Sequence, residues 1–133
     1  MNLPTQFTAG AVAAAAALAM CLGAGASHAA GDVDKGKAAF IRQCVVCHTI
    51  EKGEPNRFGP NLSGIVGKKA ASAPDFDYSR AFKAAARWEW SEDALASWIM
   101  FPGTMVPGTT MAVFQGVAEK DRDDIVAYLA SKK

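Results

Sequence analysis

Five consecutive residues, Cys44-Val45-Val46-Cys47-His48, constrain this chain more than anything else in it. A thiol pair at this spacing, with an imidazole directly behind the second thiol, has a short list of uses. One is a redox-active dithiol, but such motifs follow a strand in a βαβ unit, and no such pattern surrounds Cys44. Another is a closed zinc site, which needs four ligands. The third is covalent attachment of haem, with the histidine as an iron ligand. The spacing itself has a reason in that chemistry. Two thiols add to the two vinyl groups on one edge of a porphyrin, which demands a short, fixed reach between them. The next residue then falls beneath the ring, where an imidazole nitrogen can bind iron.

Which use survives depends on the other ligands available. The chain has 133 residues, with 3 Cys and 2 His in all, and 14 Lys+Arg against 13 Asp+Glu. No charged residue precedes Asp32. Ala9 to Leu22 is an apolar run broken only by Gly10, followed by the small-residue stretch Gly23 to Ala29. With Ser27 and Ala29 at the small positions, the pattern predicts a signal peptide over 1–29 and one exported, periplasmic domain over 30–133. Met1 to Thr8 holds no Lys or Arg, so an uncleaved leader tethering the domain to a membrane is the alternative. Lipidation of Cys21 is disfavoured by the bulky Met20 before it. Removing the leader removes Cys21 and His28. No further Cys or His then remains to complete a zinc site, and the haem reading stands.

From Gly31 onward, 47 of 103 residues are apolar and 27 of 103 are charged, an ordinary balance for a soluble domain. That excludes a multidomain, a disordered or a polytopic membrane protein. A net charge of +1 argues against nucleic acid as a partner, since a phosphate-binding surface needs excess Lys and Arg. A domain of roughly 100 residues is marginal for a self-sufficient core, so a large apolar cofactor would supplement it.

With no His left, the iron's second axial ligand must be another residue type or be absent. The methionines of the exported domain are Met100, Met105 and Met111. Met100 ends the apolar-periodic run from Leu95 and is expected to pack. Met105 and Met111 lie in a Pro/Gly/Thr loop, Phe101 to Met111, with no helix to bury them against. Either is a candidate ligand on these grounds.

Beyond the haem motif, Gly59-Pro60-Asn61-Leu62-Ser63-Gly64 and Val106-Pro107-Gly108-Thr109-Thr110-Met111 are the two loops that stand out. With them the sequence resembles the class I cytochromes c, the soluble mitochondrial type and its bacterial relatives. The likeness runs from Gly31 to Leu129. It implies an all-α fold of short helices and loops wrapped around one covalently bound haem c. It implies His48 and Met111 as axial ligands, Cys44 and Cys47 as attachment points, and the Pro60 carbonyl as acceptor of the His48 N–H. Tyr78 and Trp90 match donors to a buried haem propionate, and Lys68 stands where the family often has Arg. Gly36 matches the small residue at a helix crossing, with Phe40 and Tyr128 beside it. Trp98 replaces a Tyr near the Met ligand, which puts the hydrogen bond to that sulfur in doubt. Phe114 resembles the aromatic at the exposed haem edge.

The periodicity agrees with a helical chain. Asp32 is placed to cap a helix reaching about Cys44, with Phe40 and Ile41 on its buried side. Glycines and prolines from Gly53 to Gly67 break regular structure. A short helix is expected over Ser79 to Ala85. A further one is capped by Ser91 and closed by Pro102, and a last one runs from Glu119 to Ser131 with Ile125, Tyr128 and Leu129 buried. No strand pattern is present. Trp88 reads as ordinary aromatic packing.

The implied function is one-electron transfer by a monomer that is not an enzyme, between membrane redox complexes or periplasmic oxidoreductases. Stable membrane insertion is not expected. An open-site haem protein, peroxidase-like or gas-sensing, is the rival from another class. The family often rings its haem edge with Lys. The matching positions here are Gln43, Gly103, Thr104 and Thr110, with Arg57 the main basic match. Lys52, Lys83, Lys120, Lys132 and Lys133 read as solvated surface. Weak salt dependence of electron transfer follows from this distribution.

Overall fold

A computed structural model describes residues 30–133, so the leader, Cys21 and His28 lie outside the described residues. Helix α1 spans Val33–Gln43 because Asp32 caps it, its carboxylate accepting the N–H groups of Asp34 and Lys35, each at 3.0 Å. Its buried stripe is Gly36, Ala39 and Phe40. Ile41, expected on that side, is 54% exposed instead. One residue past Phe40 is a rotation of about 100°, which carries Ile41 off the stripe.

From Cys44 to Ser79 the chain runs without a helix, and side-chain caps take the place of regular hydrogen bonding. Glu54 accepts from the backbone N–H of Ile50 and Glu51, at 3.1 and 2.9 Å. Asn61 Nδ2 donates to Thr49 Oγ1 and to the Glu51 carbonyl. Helix α2, Arg80–Ala85, starts at Ser79, and α3, Glu92–Met100, at Ser91, each hydroxyl accepting an N–H of the first turn. Pro102 does end α3, but it also opens a one-turn helix α4, Pro102–Met105, where its missing N–H costs nothing. Met100 is not packed: α3 buries Leu95, Trp98 and Ile99, and Met100 falls one residue past that stripe at 38% exposure. A 3₁₀ turn, Thr110–Val113, and the last helix α5, Glu119–Ser131, complete the order. Among the described residues the one β-type pairing is an isolated bridge between Lys69 and Glu89.

Helices α1 and α5 cross in close contact. A Cβ on Gly36 would run into the Asp124 carbonyl and stand 2.9 Å from Tyr128 Cβ, so only glycine lets the backbones approach this far. Phe40 and Tyr128 pack beside the crossing with ring centroids 5.5 Å apart. Ile125 is wholly buried next to them. The Asp32 N–H donates to Asp124 Oδ1 at 2.7 Å, fastening the start of α1 to α5. Lys132, expected to be free in solvent, is partly buried and paired with Glu51, while its carbonyl accepts from Gly64 N. Lys83 and Lys120 likewise have acidic partners, Asp77 and Asp121. The crossing forms one wall of the molecule, and the remaining elements enclose a hollow against it.

Candidate functional site

That hollow is a cavity of about 810 Å³ lined mostly by apolar side chains, among them Leu62, Ile65, Phe82, Leu95, Ile99 and Leu129. It falls within the range of roughly 300–1,000 Å³ that holds a sizeable ligand. Cys44, Cys47, His48, Pro60, Tyr78, Trp90 and Met111 all line it.

The residues after α1 turn tightly enough to bring both cysteines to one side, with His48 N bonded to Cys44 O at 2.9 Å. The two thiols are free, not joined as a disulfide. Burial, and then the neighbouring Cys47, push the Cys44 thiol up to about 12. A redox-active dithiol needs the opposite, a thiol depressed toward neutrality. His48 is buried, and burial holds its imidazole below the usual histidine range, partly offset by its bond to Pro60. The bond joins Nδ1 to the Pro60 carbonyl at 2.8 Å. A carbonyl can only accept, so Nδ1 carries the proton and Nε2 keeps its lone pair. Gly59 lies flat against this ring: a Cβ there would stand 2.7 Å from Nδ1 and 2.8 Å from Nε2. The loop is therefore shaped around an imidazole fixed in one tautomer and one plane.

Met111 faces the same cavity from the 3₁₀ turn, whereas Met105 does not line it and is 37% exposed on α4. Its sulfur accepts a hydrogen bond from Trp98 Nε1 at 3.1 Å. The replacement of a phenol by an indole thus keeps a donor on the sulfur. Trp98 is 7% exposed and wedged against Phe82 and Trp90, with centroids at 5.1 and 5.7 Å.

No local signal singles out Phe82. It touches Tyr78, Trp88, Trp90 and Trp98, forming the hub of the aromatic wall. Trp88 packs into that wall and does not line the cavity. Tyr78 Oη accepts from Ala73 N at 3.2 Å, and burial raises its pKa. Lys68 does not line the cavity. Its side chain lies exposed and donates to the Ser63 carbonyl at 2.7 Å, while its own carbonyl accepts from Trp90 N at 2.8 Å and it shares a neighbouring groove with Tyr78. Phe114 lines the cavity half-buried, and Val113 stands out beside it.

A largely apolar hollow, two free thiols lining it and a neutral imidazole beside them fit a covalent haem. The class defined is that of small all-α domains built around such a group. A family model described as Cytochrome c matches residues 33–133. The chain is 39% identical over 99 residues to cytochrome c of Stellaria longipes, covering 74% of this chain and 91% of that one. It is 41% identical over 102 residues to cytochrome c of Gibberella zeae, covering 76% and 94%. Against cytochrome c2 of Agrobacterium tumefaciens it is 40% identical over 101 residues, covering 74% and 90%.

The chain belongs to the cytochrome c family. It carries one covalently bound haem c and transfers electrons; it is not an enzyme. Among the described residues, no helix is long and apolar enough to cross a membrane.

Proposed function

We propose that the protein is an exported one-electron carrier with His48 and Met111 as the axial ligands of its haem iron. When bound, the haem would take up one electron from a donor and pass it to an acceptor. Cys44 and Cys47 hold it through thioether bonds. The Pro60 carbonyl keeps His48 in one tautomer and strengthens its donation, and Trp98 orients Met111 from the other side. Tyr78 and Trp90 supply donors to a propionate that would otherwise be buried unpaired. With both axial positions taken by the protein, no place is left for a substrate, so the residues' task is to hold still. Residues 1–29 are the leader and 30–133 the working domain, which serves membrane redox complexes or periplasmic oxidoreductases as a monomer.

One observation carries this reading: His48 and Met111 line the same cavity as the cysteine pair, each held from behind by a hydrogen bond. The ferric protein is expected to show a weak absorption band at the red end of the visible spectrum. Met111→Ala should abolish it and Met105→Ala should leave it. A high-spin wild-type spectrum, or loss of the band in Met105→Ala alone, would overturn the ligand assignment. The intact mass tests the leader: a protein lacking residues 1–29 supports a free shuttle, and one retaining them supports a tether.

A further inference from the structure

Residues that both line the cavity and stand exposed mark its mouth. They are Arg57, Phe58, Asp75, Asp77, Thr110 and Val113. Phe58 is 86% exposed and Val113 82%. Val46, between the two lining cysteines, is 71% exposed. Burying a phenylalanine ring is favourable, so a fold that leaves one in water forgoes a gain.

The exposure is not slackness. Arg57 Nη1 donates to the Val45 carbonyl at 2.6 Å, Arg57 N to the Gly59 carbonyl at 2.9 Å, and Gly59 N to the Cys47 carbonyl at 2.7 Å. Both neighbours of Phe58 are thus tied to the cysteine turn, and the ring is held outward between them. On either side of Val113, Ala112 N bonds to Thr109 O and Phe114 N to Met111 O, which fixes it in the same way.

The charge of the mouth limits what can sit on it. Among the described residues that mark it, Arg57 is the one cation, and its guanidinium keeps its charge while donating to the Val45 carbonyl. Asp75 and Asp77 offset it, and Asp77 is itself balanced by Lys83 at 3.0 Å. The mouth is thus close to neutral. An acidic surface would find little net attraction here, whereas an uncharged apolar one would lose nothing by desolvating Phe58 and Val113.

We infer that Phe58, Val46 and Val113 form an apolar docking rim around the cavity mouth, with Phe58 as its anchor. The occupant is a redox protein whose own cofactor edge is framed by apolar side chains and carries no acidic cluster. The inference rests on the carrier reading and names the surface that reading needs. One electron crosses the contact and no atom moves with it.

Gold electrodes supply the two partner chemistries in pure form: a mixed methyl- and hydroxyl-terminated monolayer, and a carboxylate-terminated one. Voltammetry of the holoprotein should show fast transfer on the apolar film, changing less than about twofold between low and moderate salt. Phe58→Ser should slow it by about tenfold or more, the scale of losing one anchoring side chain. Phe58→Leu should retain most of the rate, and both variants should keep the wild-type potential and visible spectrum. An unchanged rate in Phe58→Ser, or a wild-type preference for the carboxylate film with a steep salt dependence, would overturn the rim. A wild-type dimer in sedimentation that Phe58→Ser dissolves would also overturn it, by assigning the face to a second copy. Absence of any reversible one-electron wave in the wild type would instead sink the carrier reading itself.

Discussion

The α1–α5 crossing and the wall around Met111 bury aromatic side chains by opposite means. The crossing joins two regular helices, one with a capping carboxylate, and sets backbone against backbone at Gly36. The wall is made of short turns, Pro102–Met105 and Thr110–Val113, with a cluster of rings centred on Phe82. At Gly36 the crossing meets protein directly, and of its two helices only Phe40, Gln43, Ile125 and Leu129 line the cavity. One surface of the wall meets the cofactor, so its order depends on a body the polypeptide does not encode. The crossing should therefore belong to the chain and the wall to the chain plus haem.

Loss of haem attachment tests that division most severely. A cleft of about 810 Å³ without its occupant leaves its apolar lining to water, a loss to be set against the ~5–15 kcal/mol stability of a whole domain. The Cys44→Ser/Cys47→Ser double variant should lose its near-ultraviolet circular dichroism and cooperative unfolding while keeping some helical signal. Full retention of both would show that the wall is self-sufficient.

Next in size is Gly36→Val, which drives a side chain into the Asp124 carbonyl. We expect a loss of about 3 kcal/mol or more in denaturant titration of the holoprotein. Its visible spectrum should be unchanged where the protein remains folded. A spectral change without a stability change would mean that the two regions are not separable.

Trp98→Phe is the mirror experiment. It removes the donor to Met111 but keeps an aromatic ring against Phe82 and Trp90. Stability should fall by only about 1 kcal/mol, the usual scale of one hydrogen bond. The red-end ferric band and the potential should shift. An unaltered band would show that the bond does not reach the ligand.

The smallest effect expected is acid loosening at the start of α1. The Lys35 N–H holds the Asp32 carboxyl below its ordinary value, with further help from Lys35's charge and the Asp34 N–H. A depressed folded value means the cap stabilises at pH above the unfolded carboxylate range and is lost as pH falls through the lowered value. The fit is to unfolding midpoints between neutral pH and about pH 3, where Asp32→Asn should flatten the acid limb slightly. An equally steep limb would assign the acid sensitivity elsewhere, with Glu54 the next group to test.

How much of this was legible depended on how local each cause was. Cys44 to His48 is one turn of chain, and Asp32 and Ser91 cap the N–H groups that follow them within three residues. Such features are written where they act. Met111 was separable from Met105 only through the family likeness, because two methionines in one loop carry the same local signal. Ile41 and Met100 were misplaced because each sits one position off a stripe whose phase is set by α5 and by the neighbouring rings. Lys68 does lie beside Trp90, whose N–H its carbonyl accepts, but its side chain turns to the Ser63 carbonyl five residues back. The Trp98 bond and the outward-held Phe58 were invisible for a shared reason. Each depends on two segments meeting, and neither segment announces the other.

The bond from Trp98 to Met111 has a stereochemical consequence. A thioether sulfur bears two lone pairs, and the indole N–H occupies one of them. In the proposed ligation only the remaining pair is left for the iron, so the bound sulfur would have a single handedness. A phenol in the same place could turn to accept, or shed its proton in alkali, and release that choice. An indole can do neither, so the configuration of a ligating Met111 would be set for as long as the helix holds.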